Sequence, residues 1–334
     1  MGVRGLDLKS EKPRSIAIFR ALQLGDLLCA VPAFRALRCA LPQAKVTLIG
    51  LPWAKSFVSR FNHYLNDFVA FPGYPGLPEQ APRIDEIPDF LSSLQRRRFD
   101  LVIQLHGSGT QTNAITALFG AKRSAGFYPK EAYCPDPQAF LPYPEEEPEI
   151  WRNLRLLEFL GVPLEGDHLE FPLSQEDYLE LEALPQTQGL KPREYVCIHP
   201  GARWAHKRWP AERFAAVADA LNALGLKIVL TGCAQEAHLT QAVGRVMKSP
   251  YIDTASPISI GGLAALLMNA RLLVSNDTGV AHLAPALQLL SVVIFFSTDP
   301  RRWAPLNTAL HRTIYDPAGV SVESVLREAL DLLR

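Results

Sequence analysis

Short apolar runs of strand length alternate with segments of helical period, and this alternation limits the fold more than any other feature of the chain. Ser15-Ile16-Ala17-Ile18-Phe19 reads as a buried strand, and residues 26–40 carry Leu27, Leu28, Val31, Phe34 and Leu37 at helical spacing. Lys45-Val46-Thr47-Leu48-Ile49-Gly50 reads as the next strand and closes a β-α-β unit. Phe99 to Leu105 is a third strand, and a fresh series begins at Tyr195-Val196-Cys197-Ile198-His199. It continues through a helix at 211–224, a strand at Lys227-Ile228-Val229-Leu230, helices at 236–247 and 260–269, and a strand at Arg271 to Val274. A helix at 281–289 and a strand from Ser291 to Phe296 follow. Such alternation predicts parallel sheets covered by helices on both faces.

At 334 residues the chain exceeds one ordinary hydrophobic core, so two α/β domains are expected, at 1–170 and 171–334. They join within 160–190, and the last helix is placed back against the first domain. The segment 127–148, rich in Pro, Tyr and Glu, reads as loop. A hydrophobic share of 48% with 20% charged residues fits a globular protein. The 34 basic and 34 acidic residues cancel, in each half as well as overall, which argues against a sequence-independent grip on nucleic acid. Arg96-Arg97-Arg98 reads as one solvated helix end. Five scattered cysteines without a CxxC pair argue against a disulfide framework or a zinc cluster and fit a reducing cytoplasm. The polar N-terminus lacks a signal-peptide core, and no apolar run reaches membrane-span length, which leaves only peripheral membrane contact open.

The run Asn276-Asp277-Thr278-Gly279-Val280-Ala281-His282 lies between a strand and a helix. A turn of this kind offers unpaired N–H groups and the positive end of a helix dipole, a place to hold phosphate. Sheets of this class bind ligands beyond the carboxyl ends of their strands. Three loops of the second domain leave strand ends with polar residues: 200–210, 231–236 and 275–279. The first domain offers Gln23-Leu24-Gly25-Asp26 and Leu105-His106-Gly107-Ser108 in the same way. Neither GxGxxG nor GxxxxGK[ST] is present, and no nucleophile elbow supports a Ser or Cys triad.

Taken together, several pieces resemble glycosyltransferase family 9, the ADP-heptose:lipopolysaccharide heptosyltransferases. They are Leu24-Gly25-Asp26 with Val31-Pro32-Ala33, His199-Pro200-Gly201-Ala202, Lys207-Arg208-Trp209-Pro210, Thr231-Gly232 with Glu236, Asn276 to His282, and Ser297-Thr298-Asp299-Pro300. No single piece is specific; their order and spacing are. The resemblance implies a GT-B fold, two Rossmann-like α/β/α domains facing each other across a cleft. It implies a nucleotide-sugar donor, with ADP-heptose first in line, in the C-terminal domain. It also implies a lipid-linked glycan acceptor, such as a lipopolysaccharide inner-core sugar, met by the N-terminal domain at the inner membrane face. Transfer would invert the anomeric carbon with no cofactor and no bound metal.

Each candidate residue carries a plainer reading beside its functional one. Asp26 is a helix N-cap or, as the resemblance implies, the base that deprotonates the acceptor hydroxyl. A helix N-terminus weakens a carboxylate as a base, so the proton would move late in the transfer. Lys207 is a surface lysine or a diphosphate ligand whose charge stabilises the leaving group. Family members often carry a small hydroxyl residue four positions earlier, where this chain has Arg203. Thr278 and Gly279 would donate to the diphosphate, His282 would add a side-chain donor, and Asp277 would cap the helix or hold Lys207. Glu236 is a helix-start acid or a ribose ligand, and Ile258 an adenine wall or a core residue. His106, Ser108 and Thr110 are placed where they could meet the acceptor, with Arg35, Lys55, Arg60, Arg123 and Lys130 as partners for anionic sugars. A nucleotide-sugar epimerase would share the layout but need acid and base groups on both sides of the sugar. A non-catalytic nucleotide-sugar binder would keep the donor site alone.

Overall fold

The computed structural model describes residues 6–316 and 318–334, leaving the first five residues of the polar N-terminal stretch and Pro317 outside. The chain divides into two compact units, 1–167 and 168–334. In the first, β1 (Ser15–Phe19), β2 (Lys45–Gly50), β3 (Asp67–Ala70), β4 (Leu101–Gln104), β5 (Arg123–Tyr128) and β6 (Phe140–Pro142) form one sheet. In the second, β7 (Tyr195–His199), β8 (Lys227–Leu230), β9 (Tyr251–Asp253), β10 (Leu272–Asn276), β11 (Ser291–Phe295) and β12 (His311–Tyr315) form another. The orders are β3-β2-β1-β4-β5-β6 and β12-β11-β10-β7-β8-β9, with every pairing parallel.

Both orders are that of the dinucleotide-binding fold, read from opposite edges. Each sheet therefore has one point where the chain reverses its direction of winding, between β1 and β4 in the first unit and between β7 and β10 in the second. The crevice outside the carboxyl ends at that point is where such sheets take ligands. Apolar strands explain the layering, since β1, β4, β7 and β10 are buried along almost their whole length. Beneath the end of β1, Phe19 meets Phe71 at 5.0 Å and Phe119 at 5.6 Å, both edge to face.

Three expectations are corrected. The 127–148 loop contains β6, and Phe127 and Tyr128 belong to β5; a three-residue edge strand ending in proline shows too little alternation to be read. The helix at 281–289 shrinks to a 3₁₀ turn, Gly279–His282, and one helical turn, Leu283–Ala286. Pro285 lacks an N–H, and Gln288 takes a left-handed backbone with φ 53°. The chain's last helix, Val322–Leu333, spends its apolar face in its own unit, where Val325 and Ala329 are fully buried in the core of the second sheet. Among the described residues no helix is long and apolar enough to cross a membrane.

The second sheet also carries a pH sensitivity. His311 is buried beside the Ser291 hydroxyl, 2.9 Å from Nδ1, and burial pushes its pKa down to about 4. At pH 7 the ring is neutral folded or unfolded. As pH falls below about 6.5, only the unfolded chain takes up the proton, so stability drops until the folded pKa is reached. Between pH 7 and 5 this residue is expected to cost about 2 kcal/mol. Urea unfolding at both pH values should show that the difference shrinks in His311→Gln; an equal slope would contradict the assignment.

Candidate active site

The second unit's carboxyl edge is built around Asn276, the last residue of β10. Its side chain is fully buried, accepts from the Trp209 N–H at 2.9 Å and donates to the Pro200 carbonyl at 2.9 Å. One amide thus ties the loop after β7 to the end of β10, across the reversal point. The Trp209 indole, buried in the core, donates to Val320 at 3.0 Å and anchors the far end of that loop. Asn276→Ala would strand a buried N–H and a buried carbonyl. It is expected to lower the unfolding free energy by about 2–4 kcal/mol, read from the denaturant midpoint; an unchanged midpoint would contradict the tie.

That tie sets Lys207 against Asp277. Lys207 closes a 3₁₀ turn, Ala205–Lys207, and its ammonium sits 3.0 Å from Asp277 Oδ2. The Thr298 hydroxyl, beyond β11, donates to the same oxygen at 2.5 Å. Asp277 therefore holds Lys207, one of the two roles expected of it, and its side chain is only 7% exposed against 23% for the lysine. An ammonium has three N–H donors, and the carboxylate takes one.

Glu236 lies one strand further along, after β8. It accepts from the Cys233 N–H at 3.2 Å and stands against Gly201, where an added Cβ would come within 2.4 Å of Oε1. The loop after β7 passes this close only because residue 201 has no side chain. His199 is buried and bonded to Thr231 Oγ1 at 3.0 Å. Burial depresses its pKa, and the Glu236 carboxylate partly opposes that. Ile258, half-buried in the turn after β9, leans over Gly262, whose added Cβ would lie 2.9 Å from it. Thr278 precedes the 3₁₀ turn in an extended conformation, and Gly279 keeps a negative φ, so no left-handed glycine shapes this turn. His282 is buried, edge to face with Trp303 at 6.2 Å. The expected long helix dipole is absent here, so any anion binding at this turn relies on N–H groups and side chains.

In sheet order the candidates run Ile258 after β9, Glu236 after β8, Lys207 after β7, Asp277 to His282 after β10, and Thr298 after β11. Four strand spacings cover about 19 Å. This is a linear site with apolar, acidic, basic and N–H-rich stations in turn.

In the first unit, Asp26 belongs to the helix Leu24–Ala40, whose N-cap is Gln23. Asp26 is the third helical residue rather than the cap, and its Oδ2 accepts from the Gln23 N–H at 3.2 Å. At the end of β4, buried His106 stacks on Phe19 at 5.1 Å and accepts from the Ala21 N–H at 3.2 Å. Its Nε2 lies 3.4 Å from Glu79 Oε1. Ser108 and Thr110 bond to each other at 2.9 Å just beyond. Of the basic residues, Arg35 is tied to the Glu165 and Gly166 carbonyls, and Arg123 opens β5 at the amino edge, paired with Glu11. Arg97 pairs with Asp67 at 2.8 Å, as a helix-end residue should.

A model of glycosyltransferase family 9 (heptosyltransferase) matches residues 88–316. The chain belongs to this family. Lipopolysaccharide heptosyltransferase 3 of Escherichia coli (strain K12) is 24% identical over 290 residues, 84% of this chain and 82% of that one. The glycosyl transferase family 9 structure from Veillonella parvula DSM 2008 matches with a TM-score of 0.81 at 21% identity, over 99% of each chain. The E. coli heptosyltransferase WaaC, solved with ADP-2-deoxy-2-fluoro heptose, matches with a TM-score of 0.69 at 20% identity, over 95% of this chain and 99% of that one. The fold is GT-B, and the protein is a glycosyltransferase.

In this family 9 glycosyltransferase three structural ties have no local signal in the sequence. Asn276 and Thr298 lie inside the family motifs, but their partners, Trp209, Pro200 and Asp277, are distant in the chain. Arg20 gave no signal, because a basic residue after an apolar strand reads as an exit to solvent. It is instead 1% exposed.

Proposed function

We propose that this glycosyltransferase moves a heptose, or a closely related sugar, from an ADP-sugar to a lipid-linked glycan, with inversion at the anomeric carbon. The observation that carries the donor half is the Lys207–Asp277 pair at the reversal point of the second sheet, with Glu236 one strand away and the Thr278-Gly279 turn beside it. Such an edge suits a nucleotide diphospho-sugar: adenine against Ile258, ribose hydroxyls on Glu236, diphosphate on Lys207, Thr278, Gly279 and His282. The bound ADP-sugar analogue of the similar WaaC structure supports adenine as the base.

In the reaction proposed, an acceptor hydroxyl oxygen attacks the anomeric carbon while the bond to the diphosphate oxygen breaks. Asp26 takes the hydroxyl proton, and ADP leaves with its new charge facing Lys207 and the N–H groups of the turn. A fixed cation does there what a metal ion does elsewhere, so no cofactor enters the proposal. One displacement with one base inverts the centre. The reaction is placed at the cytoplasmic face of the membrane carrying the acceptor, which the protein would meet as a peripheral visitor.

A thermal-shift comparison of ADP-, UDP- and GDP-sugars tests the donor. ADP-heptose at about 100 times its Kd is expected to raise the melting temperature by several degrees, and more than the other two. A substantial shift with UDP-sugars alone would overturn the ADP assignment.

A further inference from the structure

We propose that Arg20 is a positioning residue for Asp26, an inference that rests on Asp26 being the base. Arg20 follows β1, and its backbone N–H still extends the ladder to Ile49 at 3.0 Å. Its side chain is fully buried and reaches four acceptors from three parts of the first unit. Nε donates to the Asp26 carbonyl at 2.9 Å, and one terminal nitrogen donates to the Leu105 carbonyl and to Asn153 Oδ1. The other meets Glu149 Oε1 at 3.0 Å. Asn153 in turn donates to the Cys29 carbonyl at 3.2 Å, further along the helix that carries Asp26.

The planar fork therefore joins the ends of β1 and β4, the two strands flanking the reversal point, to the first turn of the helix Leu24–Ala40 and to the helix Glu149–Phe159. A group acting as a base must be held within a fraction of an ångström of its working position, and this turn, at the exit of β1, carries Asp26 half-buried between buried Gly25 and Leu27. At the surface of the same turn Gln23 and Asp26 bond reciprocally, Asp26 Oδ2 accepting from the Gln23 N–H and the Gln23 side chain accepting from the Asp26 N–H. Arg20 fixes the same turn from the core. A buried ion pair is a poor source of stability. What the arrangement supplies is placement. The Glu149 carboxylate compensates Arg20 and is shared with Arg152, 3.5 Å away on its other oxygen.

The test is a double-mutant cycle between Arg20→Lys and Asp26→Asn, read as single-turnover ADP release from ADP-heptose with a lipid-linked acceptor, alongside donor Kd and acceptor KM. Lysine keeps a charge for Glu149 but cannot span the four acceptors. Arg20→Lys is expected to lower the turnover rate by about 10–100-fold with Kd and KM within twofold, since a displaced catalytic group costs rate rather than binding. In the Asp26→Asn background the same substitution is expected to change the residual rate less than twofold. Equal losses in both backgrounds would show a merely structural role and overturn the inference. So would an unaffected Arg20→Lys beside a large Asp26→Asn loss, which leaves the base reading intact. Full turnover in Asp26→Asn alone would overturn the base reading itself, and this inference with it. Should Arg20→Lys not fold, Arg20→Gln, which leaves Glu149 paired with Arg152, is carried through the same cycle with the same outcomes.

Discussion

Asp26→Asn is expected to cut turnover by about 10²–10⁴-fold while donor affinity stays within a factor of two. The size follows from the role: a positioned base removes a proton that solvent would otherwise have to accept in the transition state. Donor affinity stays because Asp26 lies in the first unit, and the proposed donor residues lie in the second. Asparagine is the informative replacement. Its Oδ1 can still accept from the Gln23 N–H, so the capping bond and the helix start survive while the base is lost. Asp26→Ala would add a capping cost of about 1 kcal/mol. Rate and melting temperature measured on both variants separate chemistry from capping. Retained turnover in the folded Asn variant would contradict the role.

Lys207→Ala is the second large effect. The ammonium faces charge that grows as the diphosphate leaves, so its removal is expected to lower kcat by about 10²–10³-fold, with a smaller rise in donor Kd. Stability should fall as well, by about 1–3 kcal/mol, because Asp277 is nearly buried and keeps only the Thr298 hydroxyl among the two side chains now holding it. The two losses can be told apart. Asp277→Asn in the Lys207→Ala background removes the stranded charge and should restore stability without restoring kcat. Recovery of kcat in that double variant would mean that Lys207 acts only by neutralising Asp277.

Much of this architecture is legible in the sequence because it is local. Apolar runs such as Tyr195–His199 and Ser291–Phe295 are strands in the structure, and parallel strands force their connecting loops to one edge. The motif residues were found on that edge for the same reason. What escapes a linear reading depends on partners far away or on small backbone choices. Arg20 meets Glu149 across 129 positions, and no periodicity announces such a pair. Asp26 proved to be the third helical residue because Gln23, a poor cap by type, takes the N-cap. The helix after His282 is brief because Pro285 and the left-handed Gln288 break it, features that an Ala/Leu-rich run conceals. The sequence offers Asp277 as a partner of Lys207 because a carboxylate is repelled by a diphosphate, but only the strand order shows the two loops converging at a reversal point.

The most direct test of transfer as proposed is the stoichiometry of ADP release from ADP-heptose with and without a lipid-linked glycan acceptor. Acceptor-dependent release is expected, one ADP for each sugar transferred, with the new glycosidic bond inverted relative to the donor. ADP release or a changed sugar configuration without acceptor would contradict direct transfer and favour epimerase-type chemistry on the same fold.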